Sequence, residues 1–229
     1  MEKPQSPGEL YLARGDEVSA VRPILTGDVF ADVNVCDTDG STAGRAVMIL
    51  DHPCSLRLDG TTLAPRLTVA EVQPGPIGSW RGSYNRMFLP DLPLGTDPGE
   101  PHAAAYFDNC FQVTPQQLEA GNRLACLSTE GINLLLQRRV HHFSRVVIPT
   151  FEFQNANAGV YEEADLLEEW CELRERDGVK TNDAAKECME WLREQVSGGR
   201  RQDLLKDPQK RSAIRREMRA RIRSLGPHS

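Results

Sequence analysis

No stretch of this chain approaches the ~18 consecutive apolar residues that a membrane-crossing helix requires. Its opening, MEKPQSPGEL, lacks a basic start followed by an apolar run and does not read as a secretory signal. The six cysteines, at 36, 54, 110, 126, 171 and 188, form no CxxC pair and are too scattered for a disulfide scaffold. They read as reduced thiols, most of them small buried apolar groups. The phosphate-cradling GxxxxGKS/T loop, GxGxxG after a strand, GxSxG and HExxH are all missing. No internal repeat or low-complexity tract is present. These absences predict a cytoplasmic protein without a membrane span or a cofactor. They argue against the common nucleotide-binding, serine-hydrolase and zinc-protease classes.

What is present is charge, unevenly placed. The 229 residues, 39% hydrophobic and 26% charged, suffice for one large domain or for a domain plus an extension. Residues 200–225 carry ten Lys/Arg against three Asp/Glu, a net of +7, so the overall −6 leaves −13 on the remainder. An acidic body with a basic tail points to self-association or to an anionic partner.

A polar lead-in over residues 1–22, with Pro4, Pro7 and Gly8, precedes a series of short β-type runs reaching residue 113. In residues 28–35, Val29, Ala31, Val33 and Val35 alternate with other residues and predict one buried face. Asp37-Thr38-Asp39-Gly40 suits a tight hairpin; it has part of a calcium-loop pattern but not the distal Glu. The unbroken apolar run 46–50 predicts a strand buried on both faces. Residues 67–72, 87–89 and 103–113 are further strands, and the Pro/Gly-rich runs 74–76 and 89–101 are loops. Thr114-Pro115 caps a short helix closed by Gly121. Ser128 caps an amphipathic helix over 129–143; residues 146–153 leave it in an extended conformation, with Pro149 preventing its continuation. Three more helices are predicted: an acidic one over 161–177, one over 182–196, and an arginine-rich one from Asp207-Pro208 to Leu225, stopped by Gly226-Pro227. The last has a narrow seam of Ile214, Met218, Ile222 and Leu225, suited to one partner helix.

Three stretches carry a family resemblance. They are Gly27-Asp28-Val29-Phe30, the segment from Gly44-Arg45 into Val47-Met48-Ile49-Leu50, and the strand-then-helix order through residue 145. Over residues 24–145 the chain resembles the MazF/PemK-like proteins, small SH3-like β-barrels that dimerise and of which many cut single-stranded RNA without a metal. The resemblance implies a catalytic arginine at Arg45, whose fork would bind two oxygens of the reacting phosphate. It also implies a toxin–antitoxin or phage-defence setting, and the Arg/Ala-rich usage fits a bacterial source. Two positions depart from the pattern. Ala46 replaces the usual proline, and LTVAEVQP offers Val72 and Gln73 where the family has Thr or Ser.

Three constellations lie beside that motif. In Asp51-His52-Pro53-Cys54, an extended backbone would project His52 and Cys54 to one side, as two metal ligands or a thiolate with its base; alternatively Cys54 is packed and His52 bonds a loop. Arg138, Arg139, His141, His142 and Arg145 could hold a phosphate backbone or simply offset a helix dipole. Arg215, Arg216 and Arg219 in the tail could bind nucleic acid. The seam beside them could instead pair with the acidic helix, Ile214, Met218 and Ile222 meeting Leu166, Trp170 and Leu173, within one chain or between two.

The expected architecture is α+β: a small, partly closed antiparallel SH3-like β-barrel followed by helices and a charged helical C-terminal extension. Residues 23–153 form the barrel domain with its packed helices and 154–229 the extension. The expected function is a non-catalytic interaction protein that assembles with a protein partner, or with itself, through its charged helices. The alternative is a metal-independent endoribonuclease or single-stranded RNA binder.

Overall fold

The structure, a computed structural model, describes residues 3–57, 59, 61–94 and 101–226. The parts of the lead-in, the 89–101 loop and the Gly226-Pro227 stop that fall on residues 1–2, 95–100 and 227 lie outside these. In chain order the first elements are α1 (Pro7–Leu10), β1 (Tyr11–Arg14), β2 (Val29–Cys36), β3 (Thr42–Ile49), α2 (Pro53–Leu56), β4 (Leu67–Pro74) and β5 (Arg86–Leu89). Then come β6 (Ala103–Val113), α3 (Pro115–Glu119), β7 (Asn122–Leu127), α4 (Thr129–Ser144), α5 (Thr150–Arg176) and α6 (Thr181–Arg193). The last are β8 (Gln195–Val196), β9 (Gly199–Arg200), α7 (Arg201–Leu204) and α8 (Pro208–Leu225). The chain divides into two compact units. The first takes the residues up to Val18, Leu25–Leu56 and Leu63–Gln154; the second takes Ser19–Ile24, Arg57–Thr62 and the chain from Asn155 onward.

The first unit is built on a seven-stranded antiparallel sheet in the order β1-β7-β2-β3-β4-β6-β5. In β2, Val29, Val33 and Val35 are buried while Asp32, Asn34 and Cys36 face out, and a register shift between Phe30 and Val33 interrupts the alternation. Residues 47–49 of β3 and 69–72 of β4 are buried on both faces, as expected of central strands. The β2–β3 turn closes through Asp37 N–H to the Ser41 carbonyl (2.8 Å) and Gly40 N–H to the Asp37 carbonyl (2.9 Å). The Gly27-Asp28 pair has a structural cause. Gly27 has φ +81°, and a Cβ there would lie 2.6 Å from the Leu127 side chain. Buried Asp28 accepts from the Leu25 N–H at 3.0 Å.

The expected barrel is an open sheet instead. β1 and β5 are its edges, and no backbone ladder joins them among the described residues. Both are short, four residues each, as edge strands often are. Side chains tie the edges: Tyr11 Oη donates to the Pro90 carbonyl (2.9 Å) and Arg14 Nη1 to the Asp91 carbonyl (2.7 Å). The lead-in is therefore not loose, since its β1 belongs to the sheet and α1 runs directly into it. The partner strand of β1, β7, ends at Leu127, and the hydroxyl of the next residue, Ser128, caps α4 by accepting from Gly131 N–H at 3.0 Å. Thr114 and Gln117 form a reciprocal capping box at α3. Residues 150–153, expected to be extended, open α5. α4 has ended at Ser144, before Pro149, and the Pro149 carbonyl accepts from Phe153 N–H at 3.0 Å, so a new helix starts immediately after the proline.

The second unit packs α5, α6 and α8 around Leu166, Leu167, Trp170, Cys188, Trp191, Leu192, Ile214, Met218 and Ile222. The helix expected over 182–196 stops at Arg193, and Gln195–Val196 pairs with Gly199–Arg200. Arg174, 3% exposed, binds Asp177 (2.8 Å), Glu187 (2.9 Å) and the Gly226 carbonyl (2.7 Å). The two early segments join this unit through arginines: Arg22 forms an ion pair with Glu168, and Arg193 donates a hydrogen bond to the Asp59 backbone carbonyl. Cys126, Cys171 and Cys188 are buried, whereas Cys36, Cys54 and Cys110 are exposed, fewer buried thiols than the sequence implied. Burial pushes the Cys171 thiol up to about 12. No helix among the described residues is long and apolar enough to cross a membrane.

Candidate functional site

Arg45 projects from β3 into a pair of carboxylates. Its Nη1 donates to Glu71 Oε1 (2.5 Å) and its Nη2 to Asp37 Oδ2 (2.6 Å), with the guanidinium 5.3 Å from the Phe111 ring centroid. Glu71 is buried and also accepts from Asn109 (3.2 Å). The bonds to Glu71 and Asp37 raise the Arg45 pKa and hold it charged. Two carboxylates against one guanidinium give the spot a net negative charge. A phosphate would have to displace both and would meet repulsion from each.

The strand end at His52 is not the extended segment expected. The chain turns into α2 at once, and His52 Nδ1 accepts from Cys54 N–H at 3.2 Å. The imidazole thereby caps a helical turn, the bonded-loop alternative for this pair. Cys54 is exposed. Among the described residues, no group of three or more His, Cys, Asp or Glu is placed to hold a metal ion.

The basic cluster at the end of α4 does not form one surface. Arg138 is 1% exposed and points inward, donating to the carbonyls of Arg86 (2.8 Å), Trp80 (2.9 Å) and Ser83. It lies against the rings of Trp80, Tyr84 and Phe88. Burial lowers its pKa to about 10, so it is charged at neutral pH and clamps the loop before β5. Arg139 donates to the Leu50 carbonyl (2.5 Å). His141 packs on Tyr84, and His142 Nε2 lies 3.0 Å from Asp108 Oδ1. Arg145 ends the helix at φ 59°, its N–H on the His141 carbonyl.

The charged helices satisfy each other inside one chain. Arg211 and Arg215 lie 3.5 and 3.4 Å from Glu162; Arg215 and Arg219 lie 2.8 and 2.5 Å from Glu169. Between these pairs, Leu166, Trp170, Ile214, Met218 and Ile222 are buried in the unit's core and Leu173 packs against it. The seam offered as a partner surface is thus already covered, because the acidic and basic faces that would select a partner helix both belong to this chain. Arg216 stands apart. It borders an open groove of about 490 Å³ with Arg211, Arg215 and Arg219, and makes no ion pair among the described residues.

Two features were not anticipated. Phe143, Val146, Val147 and Phe151 are 65, 53, 61 and 72% exposed. Only the apolar run 146–148, left over after a basic helix end, hinted at this in the sequence. The second is a cavity of about 250 Å³ beside α4 that holds Asn133 and Gln137, polar residues on an otherwise apolar face. Compared with known sequences, the chain matches no protein-family model and no curated protein.

Proposed function

We propose that this protein is a non-catalytic interaction protein, a β-rich domain of MazF/PemK-like type that docks a protein partner through the apolar segment at 143–151. The observation that carries this reading is the exposure of four large apolar side chains within nine consecutive residues. Burying one such side chain contributes roughly 1.5–3 kcal/mol, and contiguous exposed apolar surface marks interaction sites. Aromatic anchors such as Phe143 and Phe151 are the side chains around which binding energy concentrates. The engagement of Arg45 by Glu71 and Asp37, and of Arg138 by three carbonyls, supports a function without phosphate chemistry. Six free thiols fit a reducing, cytoplasmic setting.

The test compares affinity capture by the full chain and by a Phe143→Ser, Val147→Ser, Phe151→Ser variant. The variant should fold with unchanged stability, since these side chains contribute little to the core, and should lose the partner that the parent chain retains. Equal capture by both would defeat the docking assignment, as would a parent chain that binds nothing and stays monomeric at high concentration.

A second reading rests on the arginine groove. Arg211, Arg215, Arg216 and Arg219 outnumber Glu162 and Glu169 there and would hold the backbone of single-stranded RNA. This reading predicts a low-salt gel shift weakened by Arg216→Ala and absent at high salt, with no cleavage.

A further inference from the structure

The cavity beside α4 is lined by α1, by α4 and by the first turn of α5, all within the first unit. Its wall is held close by Gly131, where a Cβ would lie 2.2 Å from the Leu10 carbonyl oxygen. Leu10 in turn accepts from Ser128 N–H at 2.9 Å, so the start of α4 and the end of α1 form a fixed corner. Asn133 and Gln137, one helical turn apart on α4, line this cavity and are 4% and 5% exposed. Among the described residues, Asn133 Oδ1 and Gln137 Nε2 are both buried without a hydrogen-bond partner. Buried polar atoms are nearly always bonded, and an orphaned pair points to a partner outside the protein.

The two orphans are complementary, one an acceptor and the other a donor. At about 250 Å³ the cavity lies just below the usual range for drug-sized ligands. Its charged residues are Lys3, Glu9 and Glu130, an excess of one negative charge that disfavours anions. We propose that this cavity binds a small, neutral, planar molecule through an edge carrying an adjacent donor and acceptor, as found on a carboxamide or a nucleobase. Asn133 accepts from the ligand N–H and Gln137 donates to the neighbouring carbonyl or ring nitrogen, the terminal amides turning about their last bond to meet it. The apolar docking segment is not needed for this site.

The experiment is an NMR titration of the full chain, following the side-chain amide signals of Asn133 and Gln137. The probes are nicotinamide, adenine, and 3-acetylpyridine, which keeps the shape and acceptor of nicotinamide and lacks its donor. Saturable shifts with nicotinamide assign a carboxamide ligand, and saturable shifts with adenine a nucleobase. In either case, loss of one hydrogen bond to a buried group should weaken binding by about tenfold or more, seen with 3-acetylpyridine, Asn133→Leu and Gln137→Met. Gln137→Glu preserves shape and replaces the donor by an acceptor; it should give the same loss even if the apolar variants do not fold. Absence of saturable shifts with both nicotinamide and adenine would overturn the assignment. So would equal affinity for 3-acetylpyridine, or parent-like binding by Gln137→Glu.

Discussion

Arg138 and Arg45 show how much an arginine's role depends on what its fork meets. Both are basic residues in suggestive places, and both are consumed by the fold: one by three backbone carbonyls, the other by two carboxylates. Replacing Arg138 by Leu leaves buried carbonyls without a donor and should cost about 3 kcal/mol or more, measured by urea unfolding, with no effect on any RNA retention. His52 illustrates the same point on a smaller scale. A side chain two residues from a cysteine reads as a ligand pair until the backbone turns and makes it a cap. Local capping was legible in the sequence because it involves neighbours: Thr114, Ser128 and Asp207 all accept the bonds their positions predict. The partners of Arg45 and Arg138 were not, since Glu71, Trp80 and Arg86 lie 26 to 58 residues away in the chain.

At the scale of elements, strands and helices with strong internal periodicity were visible, and those defined by distant partners were not. Residues 29–35 and 208–225 are examples of the first kind. β1 is an example of the second: four residues among prolines and glycines, stabilised by pairing with β7 more than a hundred positions on. The contact between α1 and the start of α4 depends on Gly131. Gly131→Ala should destabilise the first unit by about 2–3 kcal/mol and raise amide exchange at the β1 end of the sheet. The α5–α8 pairing adds a pH dependence. Burial alone would raise the Glu169 pKa, but hydrogen bonds from Arg219 and Arg215 outweigh it and leave the group below its ordinary 4.5. A depressed carboxylate contributes stability that is present above the unfolded value and is lost as pH falls through the folded one. Helicity of the second unit should therefore decline below pH 4.5. Glu169→Gln should be less stable at pH 7 by about 1 kcal/mol or less and show a flatter acid limb, as followed by circular dichroism.

For the whole molecule, composition and charge separation indicated a β-rich half and a helical half, and both are there. What they did not indicate is that each unit takes its residues from more than one part of the chain. The helical unit includes Ser19–Ile24 and Arg57–Thr62, with Arg22 buried against Glu168. Such stitching depends on contacts 146 residues apart and leaves no local pattern. It predicts that a fragment of residues 155–229 alone is less helical and melts at a lower temperature than the same unit in the full chain. The charge segregation that pointed to an external partner is largely satisfied within the chain, Arg216 excepted, and the segment 143–151 exposes apolar surface.

That surface is the central claim, and site-specific photo-crosslinking tests it most directly. A benzophenone side chain is placed at Phe143, at Phe151 or, as a control, at Arg216 in cells producing the full chain. The account predicts a discrete protein adduct from positions 143 and 151 and none from 216. Adducts from 216 alone, or none from 143 and 151, would contradict it.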